Sequence, residues 1–169
     1  LFLAGCATGD STVSPAFHDV EPEKVALVDV TGDIRGEAPK NQVEDFFIAE
    51  MMKKGYRVIE RSRVDKVLQE QDFQHSDRTT DSEAAKIGKV LNVPAVMTLD
   101  ANVDGEKVSV TGKMIDVETA EILWVGTGRG GSGESLATVG GAITGALLGS
   151  QVGKGSGKVA GGIAGGVLG

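Results

Sequence analysis

Apolar positions along the chain follow two regimes. Over 24–128 they recur at the spacings of regular elements, and beyond 128 they sit between glycines repeated every fourth residue. In the first regime "KVALVDVTGD" is a β-branched run closed by Gly32, which predicts a buried strand over 25–30. Over 41–54, Val43, Phe46, Phe47, Ile48 and Met51 share one helical face, with Glu44, Asp45, Glu50 and Lys53 elsewhere, and Gly55 ends the helix as a cap. "YRVIE" (56–60) alternates as a strand. "RSRVDKVLQEQ" places Val64, Val67 and Leu68 at helical spacing. "DSEAAKIGKVLNVP" repeats that pattern with Ala84, Ile87, Gly88 and Leu91, between an N-cap at Asp81 or Ser82 and a stop at Pro94. Three strands then follow up to residue 128, turning at Asp104-Gly105 and around 117–120.

The order βα-βαα-βββ defines an α/β (α+β) fold, with a mixed sheet and helices packed mainly on one side. Before it, residues 7–22 show no apolar periodicity and read as a flexible polar tether. The organisation is therefore a 1–6 apolar start, a 7–22 tether, a 23–128 domain and a Gly-rich 129–169 tail.

In the tail, Gly141, Gly145, Gly149, Gly153, Gly157, Gly161 and Gly165 keep a strict period of four, which Gly169 continues. Each glycine costs a helix interior about 1 kcal/mol relative to alanine, so close packing must offset them. A small residue at every fourth position lets two helix backbones approach, as in membrane helix pairs. Residues 135–153 are uncharged, and 19 residues at about 1.5 Å each approach the roughly 30 Å of a hydrocarbon core. Lys154 and Lys158 flank a polar reversal before a second apolar segment from Val159. The tail reads as a glycine-zipper helical hairpin for membrane association or self-association. The competing reading is a flexible Gly-rich linker, while a collagen-like repeat would need a period of three.

Charge narrows the partners. A net charge of -7 without clustered cations excludes a nucleic-acid surface. Cys6 is the one cysteine and cannot form an internal disulfide. Leu3-Ala4-Gly5-Cys6 resembles the bacterial lipobox, in which an apolar signal-peptide tail ends before a cysteine that becomes acylated. The resemblance implies a covalent lipid on Cys6, with membrane lipid as a partner. Ala7 after the cysteine implies sorting to the outer membrane. A small piece of apolar core is the alternative for 1–6.

Enzymatic chemistry finds no support. His18 lies in the tether and His75 in a polar loop, with no second ligand at metal spacing. "TGDIRGE" lacks the spacing of a phosphate-binding loop. Asp29 has no partner base or nucleophile and reads as structural or interfacial. Glu60-Arg61 reads as an ion pair at a strand-to-helix junction, and Trp124 as core. The expectation is a non-enzymatic protein without metal or cofactor.

The segments "GYRVIERSRVDKVLQEQ", "AAKIGKVLNVPAVMTLDANV" and "VSVTGKMIDVETAEILWVGTG" resemble the curli-transport CsgG family of envelope lipoproteins, and more distantly the LpoB-type activators of peptidoglycan synthases. The resemblance covers 24–128, most specifically at Val58-Ile59-Glu60-Arg61, Glu70-Gln71, Ile87-Gly88 and Ile115-Asp116-Val117 with Thr119. Ala120 departs from it, standing where the family has glycine in a turn. The long amphipathic hairpins of pore-forming members are not visible, so the pore does not carry over. The resemblance implies an outer-membrane-anchored lipoprotein with its domain facing the periplasm. It would act as a homo-oligomer in assembly, secretion or transport, with an envelope or secreted protein as partner. The alternative is a periplasmic module that activates a peptidoglycan synthase. A 7–22 tether reaches at most about 55 Å, which is short for crossing a periplasm and favours the first reading.

Overall fold

The structure, a computed structural model, describes residues 8–34, 37–70, 80–105 and 107–131. Five strands and three helices stand where the hydrophobic pattern predicts them. These are β2 (Lys24–Thr31), α2 (Glu37–Lys53), β3 (Arg57–Ile59), α3 (Arg61–Glu70), α4 (Asp81–Leu91), β4 (Ala95–Asp104), β5 (Lys107–Asp116) and β6 (Ile122–Gly130). In front of them lie β1 (Thr8–Val13) and α1 (Ala16–Val20).

The six strands form one mixed sheet in the order β1-β6-β5-β4-β2-β3. β2 runs parallel to β3 and β4, and the meander β4-β5-β6 and β1 pair antiparallel. The chain leaves β2 for β3 on one side and returns across β2 to β4 on the other, so its helices divide between the two faces. On one face Val43, Phe47 and Met51 of α2 and Phe17 of α1 pack on Val25, Leu27, Met97 and Leu99. On the other, Val64 and Leu68 of α3 and Ala84 and Ile87 of α4 pack on Ala26, Val28, Val96 and Ile115. The expectation of helices mainly on one side is corrected by this crossover.

The tether reading is corrected as well. Over its described part the stretch is ordered into β1, which pairs with β6 from Thr8↔Arg129 to Val13↔Trp124, and α1, whose Phe17 is buried. A polar edge strand escapes a periodicity test because one of its faces is open and β6 supplies its hydrogen bonds.

Caps confirm the helix ends in detail. The Tyr56 N–H donates to Met51 O at 3.1 Å and the Gly55 N–H to Met52 O at 3.0 Å, with Gly55 at φ 91°. This is the Schellman closure that Gly55 suggested, with Tyr56 and Met51 meeting in the core. The N-cap of α4 is corrected to Thr80, one residue before the expected Asp81 or Ser82. The Glu83 N–H donates to Thr80 Oγ1 and the Glu83 carboxylate accepts the Thr80 N–H, a reciprocal capping box. It ends at Asn92 in the left-handed region, ahead of Pro94. Gly88 lets α4 lie directly on the sheet, since a Cβ there would stand 2.3 Å from Val117 Cγ2.

Candidate interaction surface

Strand alternation sends one set of side chains into the α1/α2 core and the other to the opposite face. α3 and α4 cover only part of that opposite face. Toward the β4-β5 turn it carries three cross-strand rows. One runs Thr12, Val125, Lys113, Thr98, Asp29, the next Asp10, Thr127, Thr111, Asp100, Thr31, and the third Thr8, Arg129, Ser109, Asn102. These side chains are partly or fully exposed. All but Val125 are polar or charged, so the sheet presents a hydrogen-bonding surface.

Hydrogen bonds tie part of it together. Thr31 Oγ1 donates to Asp100 Oδ2 at 3.1 Å, Asn102 Nδ2 donates to Asp100 Oδ1, and the Asp33 N–H donates to Asn102 Oδ1 at 2.8 Å. Thr111 and Thr127 hydroxyls meet at 3.3 Å, and Lys113 Nζ stands 3.6 Å from Asp81 at the start of α4. Between α4 and the strands lies a cleft of about 340 Å³, lined by Asp29, Asp81, Thr98, Asp100, Thr111 and Lys113 among others. It lies toward the carboxyl ends of the parallel pair β2 and β4, at the point where the chain reverses direction across the sheet, the usual position of a binding crevice in an open α/β sheet. The rows contain donors and acceptors but no histidine or cysteine. Such donors and acceptors suit a contact with another polar surface.

The structure places the other sequence-derived candidates as follows. Asp29 lines the cleft. Arg61 pairs with Glu44 of α2, its Nε donating to the Glu44 carboxylate at 3.2 Å. Glu44, assigned to a polar helix face, is buried for this purpose, whereas Phe46, assigned to the apolar face, is 45% exposed. His18 is exposed and meets the Phe17 ring edge-on at 5.9 Å. The loop after β2 is not a free phosphate cradle. Gly32, at φ 116°, lies so close to Ala101 O that a Cβ would stand 1.9 Å from it, and the next amide is already bonded to Asn102. Trp124 is buried in the core, and its Nε1 has no hydrogen-bond partner among the described residues. Cys6, His75 and the glycines Gly141, Gly145, Gly149, Gly153, Gly157, Gly161 and Gly165 lie outside the described residues. Among the described residues there is no helix long and apolar enough to cross a membrane, and no group of three or more His, Cys, Asp or Glu placed to hold a metal ion.

A mixed sheet clasped by two helix pairs, with a polar face left open, defines an α/β domain. Residues 30–101 match the family model of the curli production assembly/transport component CsgG, a similarity over less than half of the chain. Solved structures share the fold. The PelC dodecamer from Paraburkholderia phytofirmans is 21% identical with a TM-score of 0.56, covering 84% of this chain and 94% of that one. Lipoprotein GNA1162 from Neisseria meningitidis is 16% identical, with a TM-score of 0.52 and coverage of 68% and 87%. The LpoB C-terminal domain from Escherichia coli is 19% identical, with a TM-score of 0.52 and coverage of 64% and 83%. No curated protein matches the sequence.

Proposed function

We propose that this protein is a non-enzymatic lipoprotein of the bacterial envelope. Acylated Cys6 holds it on the outer membrane with its domain in the periplasm, and copies of it form a platform for assembly, secretion or transport of envelope or secreted material. The observation that carries the reading is that β1, paired with β6, already occupies Thr8. Two residues after Cys6 span at most about 7 Å, so an acylated chain would hold its domain against the bilayer. That placement suits a membrane-bound platform. It works against a regulator that must reach a synthase across the periplasm, although LpoB shares the fold. The CsgG match and the dodecameric assembly of PelC support an oligomer, and the open polar sheet face offers a surface for contacts between copies or with a partner.

The test is the mass, in mild detergent, of the acylated protein purified from membranes, with and without residues 134–169. A closed oligomer is the expected result, and its loss on deletion would assign self-association to the glycines. A monomer in both forms would overturn the platform and favour the synthase-activator alternative.

A further inference from the structure

Two sequence features that point to lipid lie more than a hundred residues apart, and the sheet brings their attachment points together. Thr8, two residues after Cys6, is the Cα partner of Arg129, six residues before the uncharged 135–153 stretch begins. β1 enters the sheet at the position where β6 leaves it. The same corner holds the β4-β5 turn, because Gly130 pairs with Val108 and Val108 with Val103. Residues 6 and 135 are thus tied to one corner by covalent spans of at most about 7 and 21 Å, at roughly 3.5 Å per residue.

We infer that this corner, made by Thr8, Val103, Asp104, Gly105, Lys107 and Arg129, is the surface the domain turns toward a lipid bilayer. The inference rests on the anchoring reading of Cys6. The side chains there suit an interface with headgroups. Val103 is an exposed apolar side chain, and Lys107 and Arg129 are exposed cations on neighbouring strands beside Asp104. Several acyl chains on Cys6 would already hold the protein firmly, and a second membrane signal at the same point fixes its orientation. Had the two attachment points stood at opposite ends of the strands, about 33 Å apart for ten residues, one bilayer could not have received both without tipping the domain over. With the corner down, the turn between β5 and β6, with exposed Glu118, and the short α1 face away from the membrane.

The full acylated chain, reconstituted in vesicles of phosphatidylethanolamine and phosphatidylglycerol that carry a headgroup nitroxide, tests the orientation. A fluorophore is attached at Asp104→Cys or, in a second variant, at Glu118→Cys, and lipid quenching is compared with quenching by aqueous iodide. The expected result is several-fold stronger lipid quenching at position 104 than at 118, with iodide showing the reverse. Equal quenching at both positions, or the opposite order, overturns the inference. So does a label at 104 shielded from both quenchers, which would make the corner a contact between copies. Mass spectrometry of the peptide containing Cys6 separates the two levels: an unmodified thiol overturns the anchoring reading itself, whereas an acylated cysteine with the wrong quenching order overturns the orientation alone.

Discussion

The Glu44 carboxylate of α2 accepts both the backbone N–H of Arg61, at 2.9 Å, and its side-chain Nε, at 3.2 Å. Arg61 opens α3, which has no acidic residue of its own in its first turn, so a buried carboxylate from another helix caps it and complements its dipole. Arg61 also donates from Nη2 to Asn41 Oδ1 at 3.0 Å, which fastens α2 and α3 on either side of the edge strand β3. Glu44→Ala should cost about 1.5–3 kcal/mol, the range for a hydrogen bond to a charged group. Glu44→Gln, which keeps one acceptor, should lose less. Urea melts followed by circular dichroism measure both, and a neutral Glu44→Ala would mean that the pair contributes nothing net.

Ala120 closes the turn between β5 and β6 at φ 60°, with its N–H donating to Asp116 O at 2.9 Å. The Asp116 carboxylate accepts the Thr119 hydroxyl at 2.7 Å, so the turn is fixed from within and the alanine is held in the left-handed region. That conformation costs an L-residue roughly 1–2 kcal/mol. Ala120→Gly should therefore raise stability by about 1 kcal/mol after the added freedom of the unfolded chain is counted. A thermal midpoint that falls instead would show that the turn bears no strain.

These two sites show what the sequence could and could not disclose. Ala120 was visible as a departure from the glycine that the resembled family carries in this turn, where the structure has positive φ. Glu44 was not, because a carboxylate on a helix reads as solvated until a partner seventeen residues later is brought beside it. Strands with one buried face and amphipathic helices were legible from periodicity, and so was the closure of α2 at Gly55. The polar rows were present as alternation at Thr98, Asp100 and Asn102 and at Ser109, Thr111 and Lys113. Only the register of five strands turns that alternation into one surface.

Tyr56 gives the fold an alkaline limit. Burial pushes its phenol well above the ordinary value of 10.0. The folded state then keeps a proton that the unfolded chain releases above about pH 10. The stabilisation is complete below that pH and is lost as pH rises toward the folded-state value. Between about pH 9 and pH 11, the urea midpoint of the native protein should fall more steeply than that of Tyr56→Phe. Parallel slopes would show that the phenol does not contribute.

Phe17 decides whether the front of the chain is a tether or part of the domain. Its side chain is 6% exposed and lies in the core cluster that holds Trp124 and Phe47, although it belongs to a helix of only five residues. So short a helix cannot hold itself in water. Its place is set by Ser14, whose N–H donates to Leu123 O at 2.9 Å, and by the ring of Phe17 itself. Phe17→Ala should cost about 3–5 kcal/mol, as truncations of buried phenylalanine do. Asp19→Ala, on the exposed side of the same helix, should stay within about 0.5 kcal/mol of the native protein. If both were neutral in urea melts, residues 8–22 would be free in solution. The upper bound on the span from Cys6 to the sheet would then no longer hold, and with it would go the case for a domain held against the membrane.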